Sequence, residues 1–324
     1  MHLASPFHAG TPTMRLRAAF LALALVIASA GLAWAEGLTP GPLVDVAWLK
    51  ARLGRPDLVV LDIRSLDEGG GEAGFAKGHV PGALFSDYAR AGWRTENGGV
   101  PAMLPPLPQI EALIGALGIA RESHVVVVPA GRNASDVASA ARVYWTFKVL
   151  GHDAVSVLDG GYRAWVADAS NPVETGAPRA ATPARFSATL RHDLLASMAD
   201  VEAARGRGTP LIDARTYDQF SGKSKSPVVK RFGTIPEAVN IENGAFYDEK
   251  AGRFVGKGEI ARLLEAAGVR RDGDIVAFCN TGHLASVAWF GISEVLGAGR
   301  TSLYDGSMAE WAADAARPVL RRAQ

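Results

Sequence analysis

Residues 274–284 have the sequence DIVAFCNTGHL and contain the single cysteine of the chain, Cys279. The apolar run before it predicts a buried strand, residues 280–284 predict a short loop, and residues 285–296 have the pattern of a helix. A strand, a loop and a helix in this order direct backbone N–H groups and a helix N-terminus towards whatever lies in the loop. A thiol held there loses its proton more readily, and the thiolate is the reactive form. Cys279 is therefore a candidate nucleophile; the alternative is a small buried cysteine at the end of a core strand.

The chain around this stretch contains one pattern twice. Three motifs recur in the same order: residues 58–64 (LVVLDIR) and 210–215 (PLIDAR), residues 78–83 (GHVPGA) and 233–238 (GTIPEA), and residues 157–161 (VLDGG) and 303–307 (LYDGS). This self-similarity indicates a tandem duplication of a unit of roughly 130 residues. Short Val, Ile and Leu runs alternate with helical patterns in both units, which predicts an α/β fold with mainly parallel sheets and helices on both faces.

The repeat sets the expected boundaries. We expect a first domain at residues 42–168, a linker rich in Pro, Ala, Thr and Ser at residues 169–185, and a second domain at residues 186–320. Residues 125–128 and 275–278 are expected to be strands covered on both faces, and residues 138–150 and 285–296 to be helices. Gly151 and Gly297 follow these helices at positions typical of C-caps.

The N-terminal segment, residues 1–35, has the pattern of an export signal. Arg15 and Arg17 precede an apolar run, and residues 33–35 form an A-x-A cleavage pattern that makes Glu36 the expected mature N-terminus. Met14 is an alternative start to Met1. An uncleaved anchor is the alternative interpretation, although the apolar run is short for a spanning helix. The pattern predicts a periplasmic protein that has no membrane contact after the signal is removed.

Charge and cysteine content exclude some classes of protein. The 34 Lys and Arg residues nearly balance the 33 Asp and Glu residues, which argues against a nucleic-acid binder because such proteins have a strong basic bias. Roughly 290 mature residues suggest two domains. One cysteine forms no internal disulfide, so in an oxidising compartment its thiol is expected to be either buried or used.

Together the motifs resemble the rhodanese family (thiosulfate and 3-mercaptopyruvate sulfurtransferases) in its tandem two-domain form. The resemblance covers most of residues 42–320 and implies two five-stranded parallel sheets flanked by helices, with the catalytic cysteine only in the second domain. It implies that Cys279 takes sulfane sulfur from a small anionic donor, either thiosulfate-like or a persulfide, and becomes a persulfide. A thiol or a cyanide-like acceptor, either a small molecule or a thiol protein, then removes the sulfur. No cofactor and no metal site are implied.

The loop after Cys279 departs from the sequences of the best-known family members. It consists of Asn280, Thr281, Gly282, His283 and Leu284, and it lacks the two cations found in members that prefer thiosulfate. The backbone N–H groups of residues 280–285 are expected to stabilise the thiolate and the persulfide. Thr281 can donate a hydrogen bond, and His283 as an acid or base is the weaker hypothesis.

Other residues receive roles from the motifs. Arg215 matches the substrate-binding arginine of the family, and an ion pair with Asp213 or Asp218 is the structural alternative. Asp213 is expected to be structural and to accept backbone N–H bonds. In the first domain, Asp62, Arg64 and His79 are expected to be structural remnants of the duplication.

An insert at residues 222–231 is a further candidate. It has the sequence GKSKSPVVKR, which contains four cations and no acid. We expect it to overhang the pocket, so that Lys230 and Arg231 supply the positive field that Asn280 and Thr281 lack. A solvated surface loop is the alternative. The first domain, which has no cysteine, is expected to pack on the second and to form one wall of the active-site cleft.

Two other functions stay open on the sequence. A non-catalytic periplasmic sulfur carrier would hold a Cys279 persulfide for a partner and turn over poorly. A phosphatase or arsenate-type enzyme is disfavoured, because such enzymes close a longer loop with an arginine, whereas the loop from Cys279 to Leu284 is short and ends without one.

Overall fold

Two parallel sheets form the framework of the chain. The computed structural model describes Met1, His2, Leu38 and residues 40–322, and the chain from Pro40 onwards belongs to one compact unit. The predicted signal sequence and its cleavage pattern lie outside the described residues. None of the helices within the described ranges is long and apolar enough to cross a membrane.

The first domain alternates strands and helices. Its strands are β1 (Leu43–Val44), β2 (Leu58–Asp62), β3 (Leu84–Phe85), β4 (Thr95–Asn97), β5 (Val100–Met103), β6 (His124–Val128) and β7 (Val155–Leu158). Its helices are α1 (Val46–Lys50), α2 (Gly71–Lys77), α3 (Leu107–Ala116), α4 (Ala134–Val149) and α5 (Gly161–Val166), with a 3-10 turn at Leu66–Glu68. The sheet order is β1-β7-β6-β2-β3, with every neighbouring pair parallel. Strands β4 and β5 form a separate antiparallel pair.

The second domain repeats this arrangement. Its strands are β8 (Leu195–Ala196), β9 (Leu211–Asp213), β10 (Val239–Asn240), β11 (Tyr247–Asp248), β12 (Arg253–Phe254), β13 (Asp274–Phe278) and β14 (Arg300–Tyr304). Its helices are α6 (Met198–Arg207), α7 (Tyr217–Ser221), α8 (Lys257–Ala266), α9 (Ala285–Trp289), which continues as a π-helix at Phe290–Leu296, and α10 (Ser307–Trp311), with 3-10 turns at His192–Leu194 and Asn243–Phe246. The parallel order is β10-β9-β13-β14-β8, and β11 and β12 form an antiparallel pair.

These two sheets confirm the predicted duplicated α/β fold. The buried runs at residues 125–128 and 275–278 lie in β6 and β13. Helix α4 begins earlier than predicted because the side chain of Asn133 accepts a hydrogen bond from the backbone N–H of Asp136 and caps the helix there. Gly151 and Gly297 have φ values of 77° and 74°, the left-handed backbone expected after a helix.

The order of strands in the second sheet determines where a ligand can bind. The chain passes from β9 to its neighbour β10 on one side, and then returns to β13 on the other side of β9. The loops after β9 and β13 therefore leave the sheet in opposite directions and open a crevice at the carboxyl ends of these strands. Cys279 directly follows β13, so the fold places it at this crevice.

The domains share one hydrophobic core, which contains buried residues from both sheets. Helices α4 and α9, which follow equivalent strands of the two domains, pack against each other. The ring of Tyr144 meets Phe290 edge-on at 4.8 Å between centroids, and its hydroxyl donates to Glu294 at 2.7 Å. The hydroxyl of Ser286 donates to the carbonyl of Ala138 at 3.1 Å. The loops that precede these two helices therefore lie on the same side of the interface.

Candidate active site

Cys279 directly follows β13 and is only 1% exposed. The loop that follows it is fixed at its base by α10. The backbone N–H of Met308 donates to the carbonyl of Cys279 at 3.1 Å, and the N–H of Ala309 donates to the carbonyl of Asn280 at 2.9 Å. The start of the loop is therefore held by backbone hydrogen bonds that do not depend on its side chains.

Ser307 fixes the loop from inside. Its Oγ accepts hydrogen bonds from the backbone N–H of Cys279 at 3.1 Å and of Gly282 at 3.0 Å, and its hydroxyl donates to the carbonyl of Tyr304 at 2.7 Å. Ser307 has a φ of 49°, a left-handed conformation that non-glycine residues rarely adopt. One buried hydroxyl thus holds both ends of the segment from Cys279 to Gly282.

The remaining N–H groups of the loop are free. Among the described residues, the backbone N–H groups of Asn280, Thr281, His283, Leu284 and Ala285 have no hydrogen-bond acceptor. Buried or half-buried backbone donors are normally paired, so a cluster of unpaired donors is a site for an anion. The cluster lies in the segment between Cys279 and the first turn of α9, where a negative sulfur on Cys279 would be held.

An arginine of the first domain lies against this loop. The Arg142 side chain, which projects from α4, is fully buried, and its Nη2 lies 2.5 Å from Oδ1 of Asp305. A Cβ atom on Gly282 would overlap the guanidinium of Arg142, and Gly282 has a φ of 71°. No side chain larger than hydrogen fits at this position without displacing the ion pair. Asp305 also accepts a hydrogen bond from the backbone N–H of Leu104 at 2.6 Å, a second contact with the first domain.

His283 is held by two groups of the first domain. Its Nδ1 lies 2.9 Å from the hydroxyl of Tyr88, and the ring also hydrogen-bonds the backbone of Ser135. Burial, together with the charges of Arg94 and Arg142, lowers the pKa of His283 to about 3, and burial raises the pKa of Tyr88 to about 12. At neutral pH the imidazole is therefore neutral, and the Tyr88 hydroxyl donates to its Nδ1.

Comparison with known proteins assigns this arrangement to a family. The model of the rhodanese-like domain matches the chain twice, over residues 45–168 and 194–314. The chain belongs to the rhodanese family. The bovine thiosulfate sulfurtransferase is 34% identical over 284 residues, which cover 83% of this chain and 91% of the relative. The thiosulfate sulfurtransferase of Pseudomonas aeruginosa is 29% identical over 283 residues, which cover 86% of this chain and 96% of the relative.

Solved structures agree with the fold. The 3-mercaptopyruvate sulfotransferase SseA from Escherichia coli has a TM-score of 0.71 and 24% identity, covering 83% of this chain and 99% of that chain. EanB in complex with ergothioneine has a TM-score of 0.74 and 20% identity, covering 87% of this chain and 70% of that chain. This tandem rhodanese is therefore an enzyme of the sulfurtransferase class.

The rhodanese structure corrects the role expected for Arg215. The Arg215 side chain is fully buried and pairs with the equally buried Asp213, whose Oδ2 lies 2.5 Å from Nη2 of the arginine. Nη2 also donates to the carbonyl of Gly233, and Thr234 donates to Asp213. A guanidinium enclosed in this way does not reach a diffusing donor, so the ion-pair alternative describes Arg215. The first domain repeats the pair with Asp62 and Arg64.

The insert also differs from expectation. The guanidinium of Arg231 donates to the backbone carbonyls of four residues near the C-terminus: Trp311, Ala312, Asp314 and Arg317. These hydrogen bonds give Arg231 a structural role in fixing that segment, which differs from the expected role in binding substrate. Lys230 is exposed and makes no ion pair with the described residues; its contribution to the field stays a prediction.

The loop side chains have unequal positions. Asn280 donates through Nδ2 to Oε1 of Gln219 at 2.9 Å, while its Oδ1 is buried without a partner. Thr281 is half-buried with no side-chain hydrogen bond to the described residues, and Leu284 packs on the shared core. The His283 ring hydrogen-bonds Tyr88 and Ser135 of the first domain, which gives it a role in joining the domains; its action as an acid or base stays a prediction.

Sequence reasoning missed four residues that the structure brings to the loop: Tyr88, Arg94, Arg142 and Ser307. The first three belong to the first domain, more than a hundred residues before Cys279 in the chain, and no local pattern marks them. Ser307 could have been noticed, because it replaces Gly161 of the first repeat at a position where both residues have positive φ. The contacts of Tyr88 and Arg142 show that the first domain packs on the second beside the cysteine loop; that it forms one wall of the active-site cleft stays a prediction.

Proposed function

We propose that this rhodanese transfers sulfane sulfur from a small anionic donor to a thiophilic acceptor through a persulfide on Cys279. The observation that carries the proposal is the set of unpaired N–H groups between Asn280 and Ala285, next to the thiol at the end of β13. Thiolate and persulfide are both anions, so the same donors serve both states of the enzyme. Nδ1 of His283 is already engaged by the hydroxyl of Tyr88, so it does not compete for these donors.

The chemistry consists of two displacements at sulfur. In the first, the Cys279 thiolate attacks the outer sulfur of the donor; an S–S bond forms on Cys279, the bond within the donor breaks, and its electron pair leaves with the donor remainder, which is sulfite when the donor is thiosulfate. In the second, an acceptor such as cyanide attacks the terminal sulfur, the S–S bond breaks, and its electron pair restores the thiolate. Cys279 is the single cysteine of the chain, so an external acceptor must remove the sulfur.

The names of the relatives support thiosulfate as a donor, because bovine and Pseudomonas aeruginosa proteins that match most of this chain are thiosulfate sulfurtransferases. Asn280 and Thr281 are neutral, whereas members of the family that prefer thiosulfate have two cations in this loop. Several sulfur donors must therefore be compared. The panel contains thiosulfate, a thiosulfonate and 3-mercaptopyruvate, with cyanide as the acceptor.

The decisive experiment combines turnover with intact mass. The parent is expected to gain about 32 Da, one sulfur atom, when treated with a donor alone, and to form many equivalents of thiocyanate when cyanide is added. The Cys279→Ser variant is the matched control, because it differs from the parent by one atom and contains no thiol; it is expected to fold, to gain no mass and to form no thiocyanate.

Two results would contradict the proposal. Thiocyanate formation by Cys279→Ser at the parental rate would place the chemistry elsewhere. A parent that gains the sulfur atom but releases a single equivalent to every acceptor would be a sulfur carrier rather than a catalyst.

We also propose that the enzyme is exported to the periplasm. The support is the N-terminal pattern of Arg15, Arg17, an apolar run and the A-x-A sequence at residues 33–35. Expression of the full chain in a bacterium, followed by fractionation and N-terminal sequencing, is expected to give periplasmic protein that begins at Glu36. Protein found in the cytoplasmic fraction with residues 15–35 intact would contradict export.

A further inference from the structure

Three guanidinium groups lie near the cysteine loop, and they differ in what neutralises them. Arg215 pairs with Asp213, and Arg142 pairs with Asp305. Arg94 has no ion-pair partner among the described residues, and its buried Nε has no hydrogen-bond acceptor there. Arg142 and Arg215 also have buried nitrogens without a hydrogen-bond acceptor among the described residues, but a carboxylate neutralises each of them, so Arg94 is the one of these three cations whose charge is available to a ligand.

Arg94 belongs to a segment of the first domain, residues 88–104, that touches the active-site region at both ends. At one end, the hydroxyl of Tyr88 meets Nδ1 of His283 at 2.9 Å. At the other end, the backbone N–H of Leu104 donates to Asp305 at 2.6 Å. The segment thus spans the region beside the loop that follows Cys279, and Arg94 lies between its two anchors.

The side chain of Arg94 points towards the first of these anchors. Its guanidinium carbon lies 4.6 Å from the centroid of the Tyr88 ring. The preceding residue, Trp93, is buried, and its indole N–H donates to the hydroxyl of Ser86 at 3.0 Å. This buried neighbour fixes the backbone from which the arginine projects. Arg94 itself is partly exposed, so it can meet a ligand that enters from solvent.

The charge of Arg94 is felt inside the site. Together with burial and Arg142, it holds the pKa of His283 well below its ordinary value. Because Asp305 neutralises Arg142 and Asp213 neutralises Arg215, Arg94 is the one of these three guanidinium groups that has no ion-pair partner among the described residues. An anion beside the loop would be attracted to it, and a guanidinium is suited to oxyanions because it presents two parallel N–H donors.

We propose that Arg94 binds the oxyanion of the sulfur donor, so that the domain without the cysteine determines which donors are used. This inference rests on the proposed sulfur transfer through Cys279. The ligand chemistry is an oxyanion attached next to the transferable sulfur, which a sulfonate and a carboxylate both provide. In this proposal Arg94 supplies the positive charge that the sequence analysis assigned to Lys230 and Arg231 of the insert.

The test compares three variants with the parent by steady-state kinetics, using thiosulfate, a thiosulfonate and 3-mercaptopyruvate as donors and cyanide as acceptor. Arg94→Gln removes the charge, and Arg94→Lys keeps the charge without the fork. Arg90→Gln is the matched control, because it removes one cation from an exposed position of the same segment. Far-ultraviolet circular dichroism and thermal unfolding confirm that each variant folds.

We expect Arg94→Gln to raise KM for thiosulfate by about tenfold, equivalent to about 1.4 kcal/mol, and to change kcat by less than about threefold. Arg94→Lys should regain part of the loss, and Arg90→Gln should match the parent. A larger effect on thiosulfate and the thiosulfonate than on 3-mercaptopyruvate identifies the sulfonate as the preferred oxyanion, and the reverse identifies the carboxylate. A second readout, calorimetric titration of thiosulfate into Cys279→Ser, should show binding that Arg94→Gln weakens by a similar factor.

The proposal is overturned if Arg94→Gln leaves KM and thiosulfate binding within about twofold of the parent. It is also overturned if kcat falls while KM and binding are unchanged, because Arg94 then acts only by positioning Tyr88 and His283. These outcomes presuppose a parent that turns over. A parent that is inactive with every donor refutes the proposed function instead, and the two failures are therefore distinct.

Discussion

Replacing Ser307 by alanine should lower the stability of this rhodanese and slow the loading of sulfur onto Cys279. The substitution removes one oxygen, which accepts hydrogen bonds from the N–H groups of Cys279 and Gly282. Both donors are buried, and an unsatisfied buried donor costs about 1–3 kcal/mol. The two together give about 2–6 kcal/mol, and the backbone bonds from Met308 and Ala309 limit how far the loop can move to find other acceptors.

Part of this cost can be measured separately. Ser307 has a φ of 49°, and Gly161 has a φ of 59° at the equivalent position of the first domain. Glycine adopts such a conformation without the strain of about 1–2 kcal/mol that other residues carry. Ser307→Gly therefore loses the same hydrogen-bond acceptor as Ser307→Ala, but it is relieved of the backbone strain. It should be the more stable of the two variants despite the greater flexibility of glycine in the unfolded chain.

Urea unfolding and single-turnover sulfur loading, followed by intact mass, test both parts. Ser302→Ala is the matched control, because Ser302 lies on the adjacent strand β14 and makes no side-chain hydrogen bond to the described residues. We expect Ser307→Ala to lose at least about 2 kcal/mol relative to this control. We also expect its rate of sulfur loading to fall by at least about tenfold. A Ser307→Ala variant as stable and as rapidly loaded as Ser302→Ala would refute the role assigned to the hydroxyl.

Four further changes test other contacts. Gly282→Ala should fold but lose most of its activity, because its Cβ would overlap Arg142; parental kcat/KM would contradict this. Arg142→Met should lower the free energy of unfolding by urea by about 3–5 kcal/mol, because it leaves Asp305 buried without its ion-pair partner. The double variant Arg142→Met, Asp305→Asn should recover part of this stability. Strictly additive losses of stability in the two single variants and the double variant would show that the pair does not interact. The pKa of His283 is about 3 in the folded protein and 6.5 ordinarily. Between these pH values His283 is protonated in the unfolded state but not in the folded state, so the free energy of unfolding falls as the pH decreases through this window. In His283→Asn this fall should be smaller, and an unchanged pH profile of stability would contradict the argument. A fragment of residues 186–324 should aggregate or react slowly because it exposes the shared core; a soluble, fully active fragment would show that the first domain is dispensable.

The fold could be predicted because its determinants are local and repeated. Strands β6 and β13 contain continuous runs of apolar residues at equivalent positions of the two repeats, and the turn motifs at residues 78–83 and 233–238 recur in the same order. A parallel sheet follows from strands that alternate with helices, because parallel neighbours need a crossover between them. The π-helical end of the helix after Cys279 could not be predicted, since its pattern of apolar residues is also that of an ordinary buried helix.

The sequence predicts Cys279 as the candidate nucleophile, whereas the structure gives two of the expected substrate-binding cations other partners. Arg231 was expected near the pocket because the insert lies between two motifs that approach the cysteine loop in this fold, but four carbonyl groups near the C-terminus bind its guanidinium. Arg215 was chosen from a motif, but the carboxylate two residues before it is the nearest anion and is equally buried. Composition and motif show that a cation is present; they do not show which acceptor it reaches first.

Arg142 shows why the first domain matters to a site that lies in the second. Helix α4 follows the strand that corresponds to β13, and it packs on α9, the helix that follows Cys279. An inward-facing residue of α4 is therefore close to the loop of the other domain, although residues 142 and 282 are far apart in the chain. The duplication places a second helix of the same kind against the cysteine loop, and that helix carries the cation Arg142, which pairs with Asp305. In this arrangement the first domain has no cysteine of its own, yet its residues fix His283, pack against Gly282 and, in our proposal, bind the donor.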